Sequence, residues 1–489
     1  MFSRGTGLLF KSWFIFGVTL LSLSPARCAD LAPAGWPPEN ETGFEGAVSI
    51  VSVTEEDHCG IAVVRVPYLG ILGDARTGLA RVVVPLDHRH AGKKLPAFCH
   101  VHYEKDLGGQ KRWAKKGWAC FTATYTDASG ESPIDVSVGN GYNLARAIIQ
   151  WARRCGFTDP ARLHLDGGSQ GGYMALAMAA DMFPVTSVTS DCPVVNWAYN
   201  IAYLEHNRPW SCGGGDPKEG PLPVLGMVTM LADMAYAYFP RDLAHESWFL
   251  VSPIAVVDTI TAPVLIIEST GDMLVPMEQF TQNDIHPWDK TQFPEGYERD
   301  FLTLTTCEPA RKRLEDLLPP DKVFRTVLPL QEGSFPFTRD MVLDPAKIPE
   351  KKPASIDRPW SKAHQWNLCY MNEGPPLPVA GHNSMYWNTS ADAFIRYYQD
   401  APVSPELLTP RKLEHLLRRW SHNLDRVPVL HTGAPANRLN HPEVERRDVE
   451  SALRAFAELG PEHAARLSSL YRECPVKPWG DALPLAILP

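Results

Sequence analysis

Short apolar runs alternate with a segment of helical spacing along the first half of the chain. The runs are rich in β-branched, leucine and aromatic residues, in the near-continuous apolar order that is typical of strands buried on both faces of a parallel sheet. Apolar residues between Asn143 and Cys155 recur at helical spacing, which predicts a helix. The runs that predict strands are 60–66, 79–86, 96–103, 118–125, the run starting at Leu163, 185–189, 262–267 and 366–370. This alternation predicts an α/β fold with a mostly parallel central sheet flanked by helices.

The run that starts at Leu163 leads directly into Gly167-Gly168-Ser169-Gln170-Gly171-Gly172, and small, helix-favouring residues follow. A strand, a tight turn and a helix are the context that a nucleophile elbow requires. Only residues without a Cβ tolerate the crowding of such a turn, which is the expected reason for Gly167, Gly168, Gly171 and Gly172. A Gly-x-Ser-x-Gly pattern alone often occurs by chance, but its context here favours Ser169 as a catalytic nucleophile over a structural glycine-rich turn.

A serine nucleophile needs a general base, and the base needs a carboxylate that orients it. Open α/β sheets place such residues after the carboxyl ends of later strands. Asp272 lies five positions beyond Ile267, at the end of the strongest apolar run. We therefore predict Asp272 as the acid, with Glu268 as the alternative carboxylate and a simple turn-forming role as the competing interpretation.

The predicted base is His382, which lies in a Gly-His loop after the last predicted strand. A surface-loop histidine is the alternative interpretation, and His286 and His364 are the rival candidates. The order Ser169, Asp272, His382 along the chain is the order in which this type of fold supplies its triad.

The oxyanion of an acyl-transfer intermediate needs two N–H donors near the nucleophile. We expect one from the backbone of Gln170 and one from the loop after the predicted strand 96–103, where Tyr103 can donate through its backbone or its phenol. No Gly-Gly-Gly follows His102, so this hole differs from the type found in many lipases.

Neither a metal nor a cofactor is predicted. No Cys-x-x-Cys pair occurs in the sequence, which argues against a zinc site of that kind. A group of histidines near the third strand could hold a metal, but packed or surface histidines are the favoured interpretation. The histidines concerned are His88, His90, His100 and His102.

The first 28 residues read as an export signal. Arg4 and Lys11 precede an apolar run at 13–23, and Ala26-Arg27-Cys28 supplies small residues at the two positions that determine cleavage. We therefore expect a secreted or periplasmic protein with no stable membrane span once the signal is removed. An uncleaved anchor and a lipid-modified Cys28 are the alternatives. Export would also permit disulfides among the nine remaining cysteines.

Composition narrows the class of partner. The net charge is −9, and no basic stripe occurs, so a nucleic-acid partner is not expected. The expected partner is a small-molecule or peptide acyl substrate. Proline makes up 44 of the 489 residues, about 9%, against a usual share of about 5%. This excess indicates many ordered loops.

The chain divides into a core with two insertions and an extension. The segment 191–253 interrupts the alternation and is interpreted as a cap over the catalytic face, and 278–365 as a second, proline-rich insertion. The predicted division is a signal peptide (1–28), a linker (29–45), the first part of the core (46–190), the cap (191–253), the core strand with the acid (254–277), the second insertion (278–365), the end of the core with the histidine (366–402) and a charged helical extension (403–489).

These motifs together resemble the α/β-hydrolase superfamily, and within it the catalytic domain of the prolyl-oligopeptidase (S9-type) group and related acyl esterases. The segments that carry the resemblance span roughly residues 80 to 400, and they are Gly167 to Gly172, Ser252-Pro253-Ile254, the run 262–267, Gly271-Asp272 with Val275-Pro276, and Gly381-His382. The resemblance implies Ser169 as nucleophile, Asp272 as acid and His382 as base.

The chain departs from that group in three ways. Too few residues precede Ser169 for a β-propeller, the acid and the histidine lie 110 positions apart where relatives have a few dozen, and the C-terminal extension is outside the family core.

The favoured function is a serine hydrolase that cleaves carboxylic esters through an acyl-enzyme. An S9-like exopeptidase or acylaminoacyl peptidase with the same triad is the alternative. A non-catalytic binding protein on the same fold is a third reading, and the presence of every expected catalytic part argues against it. Relative turnover of esters and aminoacyl anilides would distinguish the first two.

Overall fold

A sheet of nine strands lies at the centre of the part of the chain that the computed structural model describes. Its strand order is β1-β2-β3-β4-β6-β5-β7-β8-β9. The structure describes residues 30–39, 41–42, 46–102, 105–124, 139–191, 193–195, 197, 200–201, 252–253, 259–267, 275, 394–421 and 440–488.

The first four strands pair antiparallel. They are β1 (Glu41–Thr42), β2 (Ala47–Glu56), β3 (Cys59–Leu69) and β4 (Ala75–Pro85). β3 and β4 pair without a register shift over eleven residues each, because one short turn connects them and fixes the register. β4 then pairs antiparallel with β6 and so joins this half to the rest of the sheet.

The other five strands pair parallel to one another. β5 lies between β6 and β7, so the connection from β6 to β7 crosses over β5. All five carboxyl ends therefore lie at one edge of the sheet, where open α/β sheets bind their ligands. The strands are β5 (Leu95–His100), β6 (Ala119–Ala123), β7 (Thr158–Gly168), β8 (Ser187–Asp191) and β9 (Val264–Ile267).

Helices cover both faces of the parallel half. Helix α1 (Leu107–Ala114), whose first turn is capped by the Asp106 carboxylate, packs on one face together with the helical residues 394–398. Helices α2 (Asn140–Ala152) and α3 (Gln170–Asp181) pack on the other face. Every residue of α3 is buried, which is the environment expected for a helix that is apolar on all sides.

Three further helices form a layer beyond α3. They are α4 (Pro410–Trp420), α5 (Pro442–Ala457) and α6 (Pro461–Glu473). Each begins with proline, whose missing N–H is harmless in the first turn. The Thr409 hydroxyl caps α4 by accepting from the Lys412 N–H at 3.1 Å. The layer has an apolar core of its own, which also includes Phe183, two positions after the last residue of α3.

Buried ion pairs attach this layer to the core. Arg146 of α2 donates to Asp448 Oδ2 of α5 at 2.7 Å, and Arg419 of α4 donates to the same oxygen at 2.6 Å. Arg419 also pairs with Glu445 at 2.7 Å and donates to the carbonyl of Asp181, the last residue of α3. The helical layer therefore contacts the helix that follows Ser169.

The described part of the chain has the α/β-hydrolase fold, as predicted from the sequence. Three features define this fold here: the β4-β6-β5-β7-β8-β9 order, the parallel pairing from β6 onward and a sharp turn between β7 and α3. Among the described helices, none has the length and apolar character needed to cross a membrane.

Some strands differ from their predicted bounds. The predicted strands 60–66 and 79–86 are observed at Cys59–Leu69 and Ala75–Pro85, so both begin earlier than predicted. The strand Ala47–Glu56 was not predicted, because most of its side chains are exposed and it lacks a continuous apolar run. Part of the segment predicted as a linker packs on the core, where the Trp36 ring lies 5.3 Å from that of Phe157.

Other predicted segments lie wholly or mostly outside the described residues. The signal segment 1–28, the second insertion 278–365 and the strand 366–370 lie wholly outside, and the cap 191–253 lies mostly outside. The domain division therefore stays a prediction.

Candidate active site

Ser169 occupies a sharp turn between β7 and α3. Its backbone has φ 56° and ψ −119°, a conformation that L-residues other than glycine rarely adopt. Its N–H donates to the carbonyl of Asp191 at 2.7 Å, and its own carbonyl accepts from Tyr173 N–H at 3.0 Å. The turn is thus held by β8 on one side and by the first turn of α3 on the other. Strain that neighbouring structure maintains is a recurring feature of functional sites.

Three of the four glycines in this turn are required by close approach of the backbone. A Cβ on Gly167 would lie 2.2 Å from the Gly171 carbonyl oxygen, one on Gly171 would lie 2.6 Å from the Val101 oxygen, and one on Gly172 would lie 2.8 Å from the Asp191 oxygen. For Gly168 the nearest atom would lie 3.8 Å away, an ordinary contact. Crowding therefore explains Gly167, Gly171 and Gly172, and the expectation that it explains Gly168 is wrong.

The segment after β5 runs against the elbow. Val101 N–H donates to the Asp166 carbonyl at 2.9 Å, and the Val101 oxygen faces Gly171. The next residue, His102, is buried and has a positive φ of 73°. Burial, together with the charge of His100, lowers the pKa of His102 to about 3. The chain direction therefore changes next to the start of α3, at the place where the predicted oxyanion loop begins.

The predicted site residues fall into two groups. Ser169 is half-buried at the turn, and Gln170 is the buried first residue of α3 directly after it. Tyr103, Asp272 and His382 lie outside the described residues, so their roles stay predictions. The rival residues lie outside as well, and they are Glu268, His286 and His364.

Asp166, a buried carboxylate three positions before Ser169, is not among the site residues predicted from the sequence. Asp166 Oδ2 accepts from His100 Nδ1 at 2.6 Å and pairs with Lys105 Nζ at 3.1 Å. Its Oδ1 accepts from the Thr189 hydroxyl at 2.7 Å. Burial alone would raise the pKa of Asp166, but Lys105 and the His100 hydrogen bond outweigh it and hold the pKa far below its usual value.

The hydrogen-bond chain into Asp166 has a defined direction. An ionised carboxylate only accepts, so Thr189 donates its proton to Asp166 and its oxygen is left to accept from His164 Nε2 at 3.0 Å. His164 Nδ1 then accepts from the Ser187 hydroxyl at 2.7 Å. This tautomer is neutral, in agreement with burial that lowers the pKa of His164 to about 3.

This network ties three strands together beneath the elbow. Its side chains come from β5, β7 and β8 and from the loop that carries Lys105. The one signal in the sequence is the alternation in Leu163-His164-Leu165-Asp166, where polar residues interrupt an otherwise apolar strand at every second position.

The local arrangement suits nucleophilic chemistry. A half-buried hydroxyl stands at the amino end of α3, where the backbone N–H groups of the first turn and the helix dipole favour developing negative charge. Within the described residues no group of three or more histidine, cysteine or acidic side chains could hold a metal ion.

No protein-family model matches the sequence, and no curated protein matches it significantly. Solved structures show partial backbone similarity. Acetyl xylan esterase 1 from Thermoanaerobacterium sp. JW/SL YS485 is 15% identical with a TM-score of 0.31, over 52% of this chain and 86% of the esterase. An acylaminoacyl peptidase in complex with a chloromethyl ketone is 14% identical with a TM-score of 0.32, over 58% of this chain and 50% of the peptidase. A rice cell wall degrading esterase from Xanthomonas oryzae is 14% identical with a TM-score of 0.28, over 47% of this chain and 84% of the esterase.

Proposed function

We propose that this protein is a serine hydrolase that cleaves carboxylic esters through an acyl-enzyme formed on Ser169. The observation that carries the proposal is the backbone of Ser169, with φ 56° and ψ −119°, between a parallel strand and a buried helix. A serine in this strained conformation needs the support of the surrounding structure, and catalysis gives a reason for keeping it.

In the proposed reaction Ser169 Oγ attacks the ester carbonyl carbon while His382, oriented by Asp272, accepts the hydroxyl proton. The N–H groups of Gln170 and Tyr103 stabilise the oxyanion. The tetrahedral intermediate then expels the alcohol, which takes the proton from His382 and leaves the acyl group on Ser169. Water attacks this acyl group with His382 again as base, the bond between the acyl carbon and Ser169 Oγ breaks as His382 returns the proton to Oγ, and the carboxylic acid leaves.

Labelling by a fluorophosphonate tests the nucleophile. Wild-type protein should react, and Ser169→Ala should not, since the phosphonylated oxygen is gone. Ser52→Ala, at an exposed position of β2, is the matched control and should label like wild type. Labelling that persists in Ser169→Ala would place the nucleophile elsewhere and refute the proposal.

The proposed base is tested by its titration. Turnover should rise with pH through an imidazole-like transition, because a histidine takes the serine proton only when it is neutral. His382→Ala should lose about as much rate as Ser169→Ala, because triad members act as a unit. An inactive His286→Ala together with an active His382→Ala would assign the base to the second insertion instead.

We propose esters as the substrate class because an amide leaving group needs protonation as it departs, whereas an alkoxide-type group needs less help. The measurement is kcat/KM on short acyl esters and on aminoacyl anilides. Anilides that match or exceed the esters would favour the alternative of an S9-like exopeptidase or acylaminoacyl peptidase.

Secretion or periplasmic export through residues 1–28 belongs to the same proposal, and the N-terminal sequence of the mature protein tests it.

A further inference from the structure

A cleft of about 460 Å³ lies between the end of α2, helix α5 and the C-terminal residues. Arg153, which caps α2, forms part of its wall, with Arg154 and Arg454 beside it. Arg153 lies five positions before the first residue of β7, and Ser169 follows the last residue of that eleven-residue strand. The Arg153 side chain donates to the carbonyl oxygen of Pro184, which precedes the start of β8, whereas Ser169 lies at the carboxyl ends of the strands. The cleft shares no lining residue with the turn at Ser169, so it is separate from the candidate active site.

Arg153 is buried without a carboxylate partner among the described residues. It is 6% exposed, and among the described residues its side chain makes one hydrogen bond, from Nη2 to the carbonyl oxygen of Pro184. Nε and Nη1 have no acceptor in the part of the chain that the structure describes. Burial lowers the pKa of Arg153 to about 10, against the opposing charge of Asp448. A guanidinium has five N–H donors, so most of its donor capacity is unused here.

The nearby acids are engaged with other groups. The Asp448 oxygens accept from Gln150, Arg146 and Arg419. Of the two carboxylates that line the cleft, Glu450 accepts from the Trp420 indole at 2.8 Å and Glu458 pairs with Arg454 at 2.8 Å.

The lining of the cleft thus carries a net charge of one positive unit, since it contains three arginines and two glutamates. The rest of its wall includes the apolar side chains of Pro160, Leu459 and Ile487. A single negative charge matches this balance better than a dianion, and an apolar body matches the wall.

We propose that the cleft binds a monocarboxylate with an apolar chain, whose carboxylate pairs with Arg153 and whose chain packs against Leu459 and Ile487. Nε and Nη1 are buried, so the guanidinium must turn toward the ligand. Among the described residues, turning gives up the side-chain hydrogen bond to Pro184, and a bidentate, charge-assisted pair replaces it.

Isothermal titration with octanoate tests this site. Wild type should bind one octanoate, and Arg153→Met should bind at least tenfold more weakly. Octanol, which has the chain without the carboxylate, should also bind at least tenfold more weakly. Ala455→Phe fills the cleft wall without changing Arg153 and should block octanoate, which keeps the test valid if Arg153→Met fails to fold. Arg418→Met, at an exposed position of α4, is the control and should bind like wild type.

Fluorophosphonate labelling of Ser169 should be unchanged in the Ala455→Phe protein, since the two sites share no residue. Wild-type protein that takes up no octanoate would overturn the proposal, and so would equal binding by wild type and Ala455→Phe. Inorganic phosphate that binds as tightly as octanoate would refute the monocarboxylate assignment.

Discussion

Replacing Lys105 by methionine should destabilise the protein strongly, because it leaves the Asp166 carboxylate without its ammonium partner. Asp166 is fully buried, and the Lys105 side chain is 14% exposed. Removing one member of a buried pair typically costs about 3–5 kcal/mol. Asp166 keeps its hydrogen bonds from His100 and Thr189, so we expect the lower end, about 3 kcal/mol. Against a typical total stability of about 5–15 kcal/mol, this loss is readily measured.

The loss should also depend on pH in a specific direction. In the wild type, burial and the Lys105 charge lower the pKa of His100. Removing Lys105 takes away the lowering by its charge while the carboxylate stays at 2.6 Å, so the pKa of His100 should be higher in Lys105→Met than in the wild type. Because the folded-state pKa of His100 in the wild type lies below its unfolded value, the wild type loses stability as the pH falls, and the variant with the higher pKa should lose less. The penalty of Lys105→Met should therefore be smaller at pH 5.5 than at pH 8.5.

Urea unfolding of wild type and Lys105→Met at both pH values measures this difference. Lys94→Met, at an exposed lysine, is the matched control and should change the free energy of unfolding by less than about 0.5 kcal/mol. A Lys105→Met penalty below about 1 kcal/mol, or one that is equal at both pH values, would refute the role assigned to this pair.

Three other predictions address the stability and geometry of the fold. Burial gives His102 and His164 folded pKa values of about 3, against about 6.5 unfolded, so the unfolded state binds more protons below neutrality. As the pH falls from 6 to 4, each histidine should therefore lower the free energy of unfolding by about 1.4 kcal/mol per pH unit, and urea titrations over this range check it. Gly171→Ala should slow fluorophosphonate labelling at least tenfold, because its Cβ would meet a carbonyl oxygen at 2.6 Å, while Gly168→Ala should label normally, as timed labelling can show. Asp448→Asn should cost about 3–5 kcal/mol in urea unfolding, because two buried guanidinium groups share that carboxylate; a loss under 1 kcal/mol would contradict this.

The strands of the core could be predicted because burial on both faces leaves a local mark in the sequence. Apolar runs at 79–86 and 262–267 lie on the observed β4 and β9, and only their ends differ. The exposed strand β2 leaves no such mark, because its pairing with β3 is made by backbone groups that every residue has. Ser169 could be found because the elbow is local, with its strand, turn and helix contiguous in the sequence.

The network around Asp166 could not be predicted because it depends on which strands are neighbours. His100 lies opposite Asp166 only because β5 pairs with β7, and Thr189 lies opposite only because β7 pairs with β8. The residues of the first pair are 66 positions apart. Local patterns place neither partner, so a histidine and an aspartate in separate strands read as unrelated polar residues.

The C-terminal extension shows the same limit at longer range. Its charged helices could be predicted from local pattern, and such charges are usually solvated. Instead, Asp448 pairs with Arg146, 302 positions earlier in the chain. A charged residue on a helix signals exposure only when all its partners are local, and here one partner of Asp448, Arg146, belongs to the core.

These contacts bear on the strain at Ser169. The helix that starts there is twelve residues, about 18 Å, long, and the extension holds its other end: the buried Lys412 ammonium donates to the carbonyls of Ala179 and Ala180 at 2.7 and 2.6 Å. A positive φ at a serine persists only if the elements on both sides are fixed more firmly than the strain can move them. The Asp166 network fixes the strand before the turn, and the extension fixes the helix after it. The Asp166 network and the packing of the extension, which local sequence patterns could not reveal, therefore both support the conformation of Ser169, which the local pattern did reveal.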